Sequence, residues 1–370
     1  MHHWRCAHQL ANTLDGTPER DELSTNARIG LLGLAWRLGM VPEEAAALRS
    51  EGRKPADLEQ FRLDLNYAAT LMHSAREREG LELFRDVNRL AVGAGDPDLV
   101  LTPACGVSYA NWVAGSLSEA VTVIDFALDL TGANPDAGAG LAFACPCAHA
   151  FGQRAQALGY MGDLDAARRD FDRAIELARE HNDPEVESYR YANLAILEAL
   201  AGEPEAALHD AALGLEIANR AGNAIAIVAT STARAVAQAG SGRFEEGFRQ
   251  AEANLATVRQ HGMGRYFEPM LLATMARCEL ALGRPDAALA AAEEAFEITD
   301  RRGLTVCALP APITLAEVLL ATGGPPAAER IEAVLGYAVH AARQSQAHIF
   351  EPQIYRQLAA VARLLDGRRP

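Results

Sequence analysis

The sequence predicts an all-α protein, a solenoid of stacked antiparallel helix hairpins, and three observations predict it. A glycine-headed phrase recurs at nearly constant spacing, the segment after each copy is amphipathic and rich in alanine, and strong breakers fall between the segments. The phrase reads Gly162-Asp-Leu-Asp-Ala-Ala, Gly202-Glu-Pro-Glu-Ala-Ala, Gly242-Arg-Phe-Glu-Glu-Gly and Gly283-Arg-Pro-Asp-Ala-Ala, with a degenerate copy at Gly324-Pro-Pro-Ala-Ala. The positions of these glycines give a period of roughly 40 residues, and so steady a period marks a repeat architecture.

Each part of the phrase has a physical task. The glycine ends one helix, where a positive φ is needed. The acidic residue near the next helix start caps free N–H groups and suits the helix dipole. Pro204 and Pro285 fit a first helical turn, where a missing N–H costs nothing. The paired alanines let the two helices of a hairpin cross closely. After Gly162, residues Leu164, Ala167, Phe171, Ala174, Ile175 and Leu177 follow a three-four spacing, and Arg168, Arg169, Asp170, Asp172 and Arg173 form the opposite face. His181-Asn182-Asp183-Pro184 then breaks the helix.

The register extends upstream with less fidelity. Gly115-Ser-Leu-Ser-Glu-Ala precedes Gly162 by a longer step, and the extra length falls in an inserted loop that begins near Thr131 and runs to Gly138. Ala75 takes the glycine position one repeat earlier, and Asp96-Pro97 matches Asp183-Pro184. Pro42-Glu-Glu-Ala-Ala after Gly39 reads as a shortened copy. The expected organisation is degenerate helical hairpins over residues 1–70 and a repeat array over residues 71–370, forming one continuous solenoid of about 16 to 18 helices. A helix near Ile349 to Leu365 caps its end.

Composition narrows the function. Hydrophobic residues make up 49% of the 370 positions and aromatics 6%, with a net charge of −15. The acidic balance and the lack of a basic patch argue against nucleic acid as a partner. No apolar run reaches the length of about 18 residues that reads as a membrane span, and no apolar leader follows Met1, so a cytoplasmic location is expected. The six cysteines are too sparse for a disulfide framework.

These residues resemble tetratricopeptide repeats: Ala167, Ala207 and Ala288 match the small residue at the tight crossing, and a glycine precedes the second helix. The resemblance implies a right-handed superhelix whose first helices line a concave groove, although the usual repeat is about 34 residues long and this one about 40. The order of segments, from an opening helix through Thr17-Pro18-Glu19-Arg20 to Glu351-Pro352-Gln353-Ile354-Tyr355-Arg356, resembles the C-terminal helical region of bacterial AAA/STAND-type signalling ATPases, often joined to a cyclase or LuxR-type domain. That resemblance implies a sensor or scaffold arm. The sequence holds no Gly-x-x-x-x-Gly-Lys-Ser/Thr phosphate loop, which leaves a truncated C-terminal portion or a stand-alone relative, and the helical start at Met1 favours the first.

His149, Gln153, Gln156 and Tyr160 fall at i, i+4, i+7 and i+11, one stripe of a first helix. Tyr189, Arg190 and Asn193 hold comparable positions one repeat later, and Arg277 shares the groove-facing offset. The stripe is either a binding surface for a peptide or small polar ligand or an ordinary solvated face. Cys145-Pro146-Cys147 with His149 contains zinc-type ligands, but the spacing suits a helix start better and no metal is expected. His2, His3 and His8 read as a solvated terminus or a tag scar. Arg265-Tyr266-Phe267-Glu268, after Gly262 and Gly264, reads as packing at a helix start, with binding as the alternative. Cys105 has no assignable His partner.

No catalytic motif and no cofactor site emerge. The expected function is a non-enzymatic protein- or peptide-binding scaffold, a signalling or transcription-regulator arm. A small-molecule sensor of a STAND-type regulator is one alternative. The other is an enzyme in the groove, where His149 and Tyr160 are the first residues to inspect. Oligomeric state, a homodimer included, stays open.

Overall fold

Left-handed backbone residues punctuate the chain at nearly even steps and explain its architecture. In a computed structural model, which describes residues 1–14, 17–51, 57–323 and 325–366, positive φ occurs in equal steps at Gly162, Asn182, Gly202, Gly222, Gly242 and Gly262, then at Gly283 and Gly303. The same step joins Ala75, Gly95 and Gly115. Each repeat of about 40 residues is therefore two helical halves of about 20 residues. Between Leu164 and His261 each half is a helix of 17 or 18 residues followed by a left-handed turn.

The described residues form eighteen α-helices and no strand. They run α1 (His2–Thr13), α2 (Pro18–Leu38), α3 (Pro42–Ser50), α4 (Asp57–His73), α5 (Glu77–Ala94), α6 (Leu101–Ala114), α7 (Leu117–Thr131), α8 (Pro146–Tyr160) and α9 (Leu164–Glu180). There follow α10 (Pro184–Ala201), α11 (Pro204–Ala221), α12 (Ala224–Gly240), α13 (Phe244–His261), α14 (Glu268–Ala281), α15 (Pro285–Arg302), α16 (Pro310–Thr322), α17 (Ala328–Ser345) and α18 (Glu351–Asp366). Successive helices pack as hairpins, and alternate helices, such as α10 on α12, pack on each other. Gly324, head of the degenerate copy, lies outside the described residues.

Capping follows the sequence chemistry in part, since Glu203, Arg243 and Arg284, which precede α11, α13 and α15, make no side-chain cap. Asp163 accepts from the Ala166 N–H at 3.0 Å, Asp183 from Val186 at 3.1 Å and Asn223 from Ala226 at 3.1 Å. Pro204 and Pro285 open α11 and α15. At the hairpin crossings Ala167, Ala207, Gly247 and Ala288 are buried. A Cβ at Gly247 would stand 3.1 Å from the Ala239 nitrogen and 3.3 Å from the Ala235 oxygen, so a small residue is required there.

The two helices of a hairpin differ in kind. Outer helices such as α9, α11 and α13 bury one stripe and expose the rest. Inner helices are covered nearly all round: α10 buries Ser188, Tyr189, Arg190, Tyr191 and Ala192 in succession, and α6 buries most of its residues. A helix apolar on both long faces must be covered twice. The outer partner covers one face, and the far side of the superhelix covers the other.

The array accordingly winds back on itself. Arg37 on α2 donates to both carboxylate oxygens of Glu185 on α10, at 3.0 and 2.8 Å. Arg302 at the end of α15 pairs with Glu77 at the start of α5. The Thr305 hydroxyl donates to the Val113 carbonyl at 3.1 Å, and Ser118 donates to Gln346 at 2.7 Å. A Cβ on Gly39 would overlap the His261 carbonyl, so the ends of α2 and α13 meet at backbone distance. The concave groove expected from sequence is thereby narrowed into a chamber with a mouth to solvent.

Candidate functional site

The chamber lies on the superhelix axis. Its walls come from α2 (Trp36), α4 (Asn66, Met72, His73), α6 (Thr102, Cys105, Tyr109, Trp112), α8 (His149, Gln153, Gln156, Tyr160) and α10 (Tyr189, Arg190, Asn193). Tyr266 and Phe267, in a 3-10 turn before α14, and Met270 on α14 complete them. The cavity is about 90 Å³, and about 960 Å³ when the space open to solvent at the mouth is counted with it.

Aromatic rings concentrate here. Two of the three tryptophans and four of the eight tyrosines line the chamber. They form a connected chain: Trp36 stacks on His73 with centroids 5.3 Å apart, His73 on Tyr109 at 5.8 Å, and Tyr109 on Trp112 at 5.9 Å. Tyr266 meets Tyr109 edge-on at 5.6 Å. Such walls favour a planar or apolar ligand body.

The inserted loop between α7 and α8 has a structural role. Phe143 stacks on His149 at 4.1 Å, and Ala142 accepts a hydrogen bond from Arg37 at 2.7 Å. Arg37 itself stacks over Trp36 at 4.0 Å. The residues just after the expected insertion at Thr131 to Gly138 thus form part of the chamber wall.

Seven of the residues singled out from sequence, His149, Gln153, Gln156, Tyr160, Tyr189, Arg190 and Asn193, line this one chamber. They do not form a solvated face: Tyr160 and Arg190 are 1% exposed, Gln153 4% and His149 9%. The eighth, Arg277, lies outside. It is exposed and pairs with Glu317 at 3.6 Å. It continues the stripe of Met270, but two further helical turns carry it roughly 10 Å along the helix axis, past the chamber.

No sequence pattern singles out Trp36, His73, Tyr109, Trp112 or Phe143. All but Phe143, which lies just before α8, sit on segments remote from α8 in the chain, and only the winding of the array joins those to it. Tyr266 and Phe267 pack at a helix start, as the turn suggests, and also face the chamber.

Electrostatics give the chamber an unusual balance. Burial, with help from Arg37, lowers His73 to about 3. Burial, reinforced by Arg190 and Arg37, holds His149 well below its ordinary value. Burial pushes the phenols of Tyr109 and Tyr189 well above theirs and the Cys307 thiol up to about 12. All are neutral at pH 7. Arg190, lowered by burial to about 10, remains a cation. Among the described residues the lining holds no Asp, Glu or Lys.

Several polar atoms on the wall have no protein partner among the described residues: His73 Nδ1, Trp112 Nε1, His149 Nδ1, Gln153 Oε1, Tyr189 Oη and the Nε and Nη1 of Arg190. Gln153 Nε2 lies 3.3 Å from His149 Nε2. With the amide so oriented, the imidazole proton sits on Nδ1 as a spare donor. Unpaired buried groups are costly, about 1–3 kcal/mol each, and their convergence marks a binding site better than a packed core.

Cys145 caps α8, its sulfur accepting from the Ala148 N–H at 3.4 Å. Cys147 Sγ contacts the Ala133 carbonyl at 3.4 Å. Among the described residues no group of three or more His, Cys, Asp or Glu side chains is arranged to hold a metal. No helix there is long and apolar enough to cross a membrane.

Residues 148–181, the α8–α9 hairpin, match the family model described as tetratricopeptide repeat. The chain is a tetratricopeptide-like helical array. Its fold is similar to that of the Rap protein solved in complex with competence and sporulation factor, with a TM-score of 0.57 and 13% identity over 83% of this chain and 86% of that one. It is also similar to NprR, solved with its cognate peptide NprX, with a TM-score of 0.53 and 13% identity over 80% of this chain and 81% of that one. A STAND protein with a tetratricopeptide repeat sensor from Pyrococcus horikoshii aligns at a TM-score of 0.46 and 13% identity, over 97% of this chain and 54% of that one. No curated protein matches this sequence.

Proposed function

We propose that this array is the ligand-sensing arm of a regulatory system and that it encloses a small organic ligand in its axial chamber without transforming it. The closed winding is the observation that carries this reading. An open groove suits an extended protein segment, whereas a chamber fenced by contacts such as Arg37–Glu185 and Thr305–Val113 suits a compact guest. The chemistry points away from catalysis. A general acid or base works best with a pKa near the operating pH, and burial moves His73 and His149 down and Tyr109 and Tyr189 up, away from neutrality.

A second reading has its own support. NprR, of similar fold, was solved with its cognate peptide, and on this reading the guest is the end of a short peptide. A signalling or transcriptional output, through a partner protein, belongs to either reading.

A ligand that binds only the folded state raises stability by mass action, about 2.7 kcal/mol at a hundredfold excess over Kd. Thermal unfolding against a panel of small aromatic metabolites and short peptides tests the proposal. The expected result is a concentration-dependent upward shift with compact ligands. Shifts only with long peptides or folded proteins would overturn it.

A further inference from the structure

We propose that Arg190 forms an anion subsite in the chamber and that the ligand is a monocarboxylate on a planar or aromatic body. The inference rests on the chamber being a ligand site and names the chemistry of its occupant.

Arg190 lies on the inner helix α10 and is 1% exposed. Among the described residues no hydrogen bond or ion pair engages it, and its Nε and Nη1 are buried without a partner. Yet it stays charged at neutral pH, and a buried charge requires compensation. The carboxylates at the start of the same helix are committed elsewhere. Asp183, whose field reaches the guanidinium, accepts three backbone N–H groups, from Ala144 at 2.8 Å, Cys145 at 3.0 Å and Val186 at 3.1 Å. Glu185 is clasped by Arg37 through both oxygens.

A second observation comes from the facing helix. Gly152 sits inside α8, where glycine is a poor helix former. A Cβ there would overlap Cδ and Nη1 of Arg190. The glycine therefore makes room for this side chain, so the guanidinium is built into the wall.

The Nε–H and Nη–H fork of a guanidinium matches a carboxylate in a bidentate pair. The Nδ1–H of His149 supplies a further donor. One cation among neutral histidines and phenols balances one negative charge, which favours a monocarboxylate over a dianionic phosphate. Phe143 stacked on His149, with Tyr189 beside Arg190 on α10, supplies the flat apolar surface for the rest of the molecule.

Intrinsic fluorescence reads this chamber directly. Trp4 is 42% exposed and lies outside it, whereas Trp36 and Trp112 line it, so a Trp4→Phe variant reports from the chamber alone. That variant is titrated with 4-nitrobenzoate and with neutral 4-nitrobenzamide, both of which quench indole on contact. The expected result is saturable quenching by the acid at an affinity about tenfold or more above the amide. Arg190→Met should lose that preference and Arg190→Lys should keep part of it. The acid–amide comparison needs no change at Arg190, so it decides the matter even if Arg190→Met fails to fold. Equal binding of acid and amide overturns the anion subsite and leaves the chamber a ligand site. Absence of saturable quenching by either overturns both readings. Displacement of 4-nitrobenzoate by the dipeptide Ala-Phe but not its C-terminal amide supports a peptide terminus as the source of the carboxylate, and displacement by benzoate alone supports a free acid.

Discussion

Gly152 shows how one residue can carry a demand set by another helix. Inside an exposed helix, replacing glycine by alanine gains about 1 kcal/mol. Here the new methyl group would strike Arg190 in an enclosed wall, so Gly152→Ala should instead destabilise by about 1–3 kcal/mol, read as a lower urea midpoint. Glu198 makes a different demand. Burial, with Asp210 and Glu203 nearby, raises its carboxyl from 4.5 to about 7, against the pull of Arg168. The native state thus binds this proton more tightly than the unfolded chain does. Its contribution is full below pH 4.5 and is lost as pH rises toward 7. Glu198→Gln should stabilise the protein at pH 8 by on the order of 1 kcal/mol, discounted for solvent screening, and change little near pH 4; thermal melts at the two pH values check this. At this scale the sequence was legible where one helix presents its own stripe, as with His149, Gln153, Gln156 and Tyr160. It was opaque where the chamber is assembled across the array, as with Trp36, His73 and Tyr109. Arg277 shows the limit of the stripe itself, because periodicity gives a face and not a depth along the helix.

At the scale of the helix, the left-handed junctions set the register. The repeat of about 40 residues was visible because glycine heads most copies, as a fixed period makes it. The half-step within it was less plain, since Asn182 fills a half-step junction that glycine holds at Gly222, Gly262 and Gly303, and Ala75 replaces the glycine that heads a copy. Asn tolerates that conformation through its short polar side chain. Ala75 has no such help at φ 64°, and Ala75→Gly should stabilise by about 1 kcal/mol. The converse change, Gly202→Ala at φ 88°, should cost about 1–2 kcal/mol. Denaturant titrations of both variants check the pair. The inserted loop before α8 was legible as extra length, while its role as a wall depends on Arg37, which reaches from a remote part of the chain to hold the Ala142 carbonyl.

At the scale of the molecule, remote turns are fastened by ion pairs and hydrogen bonds. Glu268 is buried and meets Arg259 at 3.3 Å, Arg265 at 3.1 Å and Arg302 at 3.5 Å, and Arg302 also pairs with Glu77. This cluster joins the end of α13, the start of α14 and the end of α15 to the start of α5. On the other side Arg37 joins α2 to α10. Arg37→Met would leave Glu185, already raised by burial, without its cation. The expected loss is about 3 kcal/mol or more, with weaker ligand binding because the same arginine holds the inserted loop. A groove lined by the first helices was what the tetratricopeptide resemblance implied. Closure was not readable, since it depends on the summed twist of many hairpins and on contacts such as Gly39 with His261. Closure is tested most directly by acrylamide quenching of the Trp4→Phe variant, whose remaining indoles, Trp36 and Trp112, are 5% and 4% exposed. Their quenching should be weak in the native protein and should rise when Arg37→Met is added; strong quenching in the native protein, equal to that of an exposed tryptophan, would contradict a closed chamber.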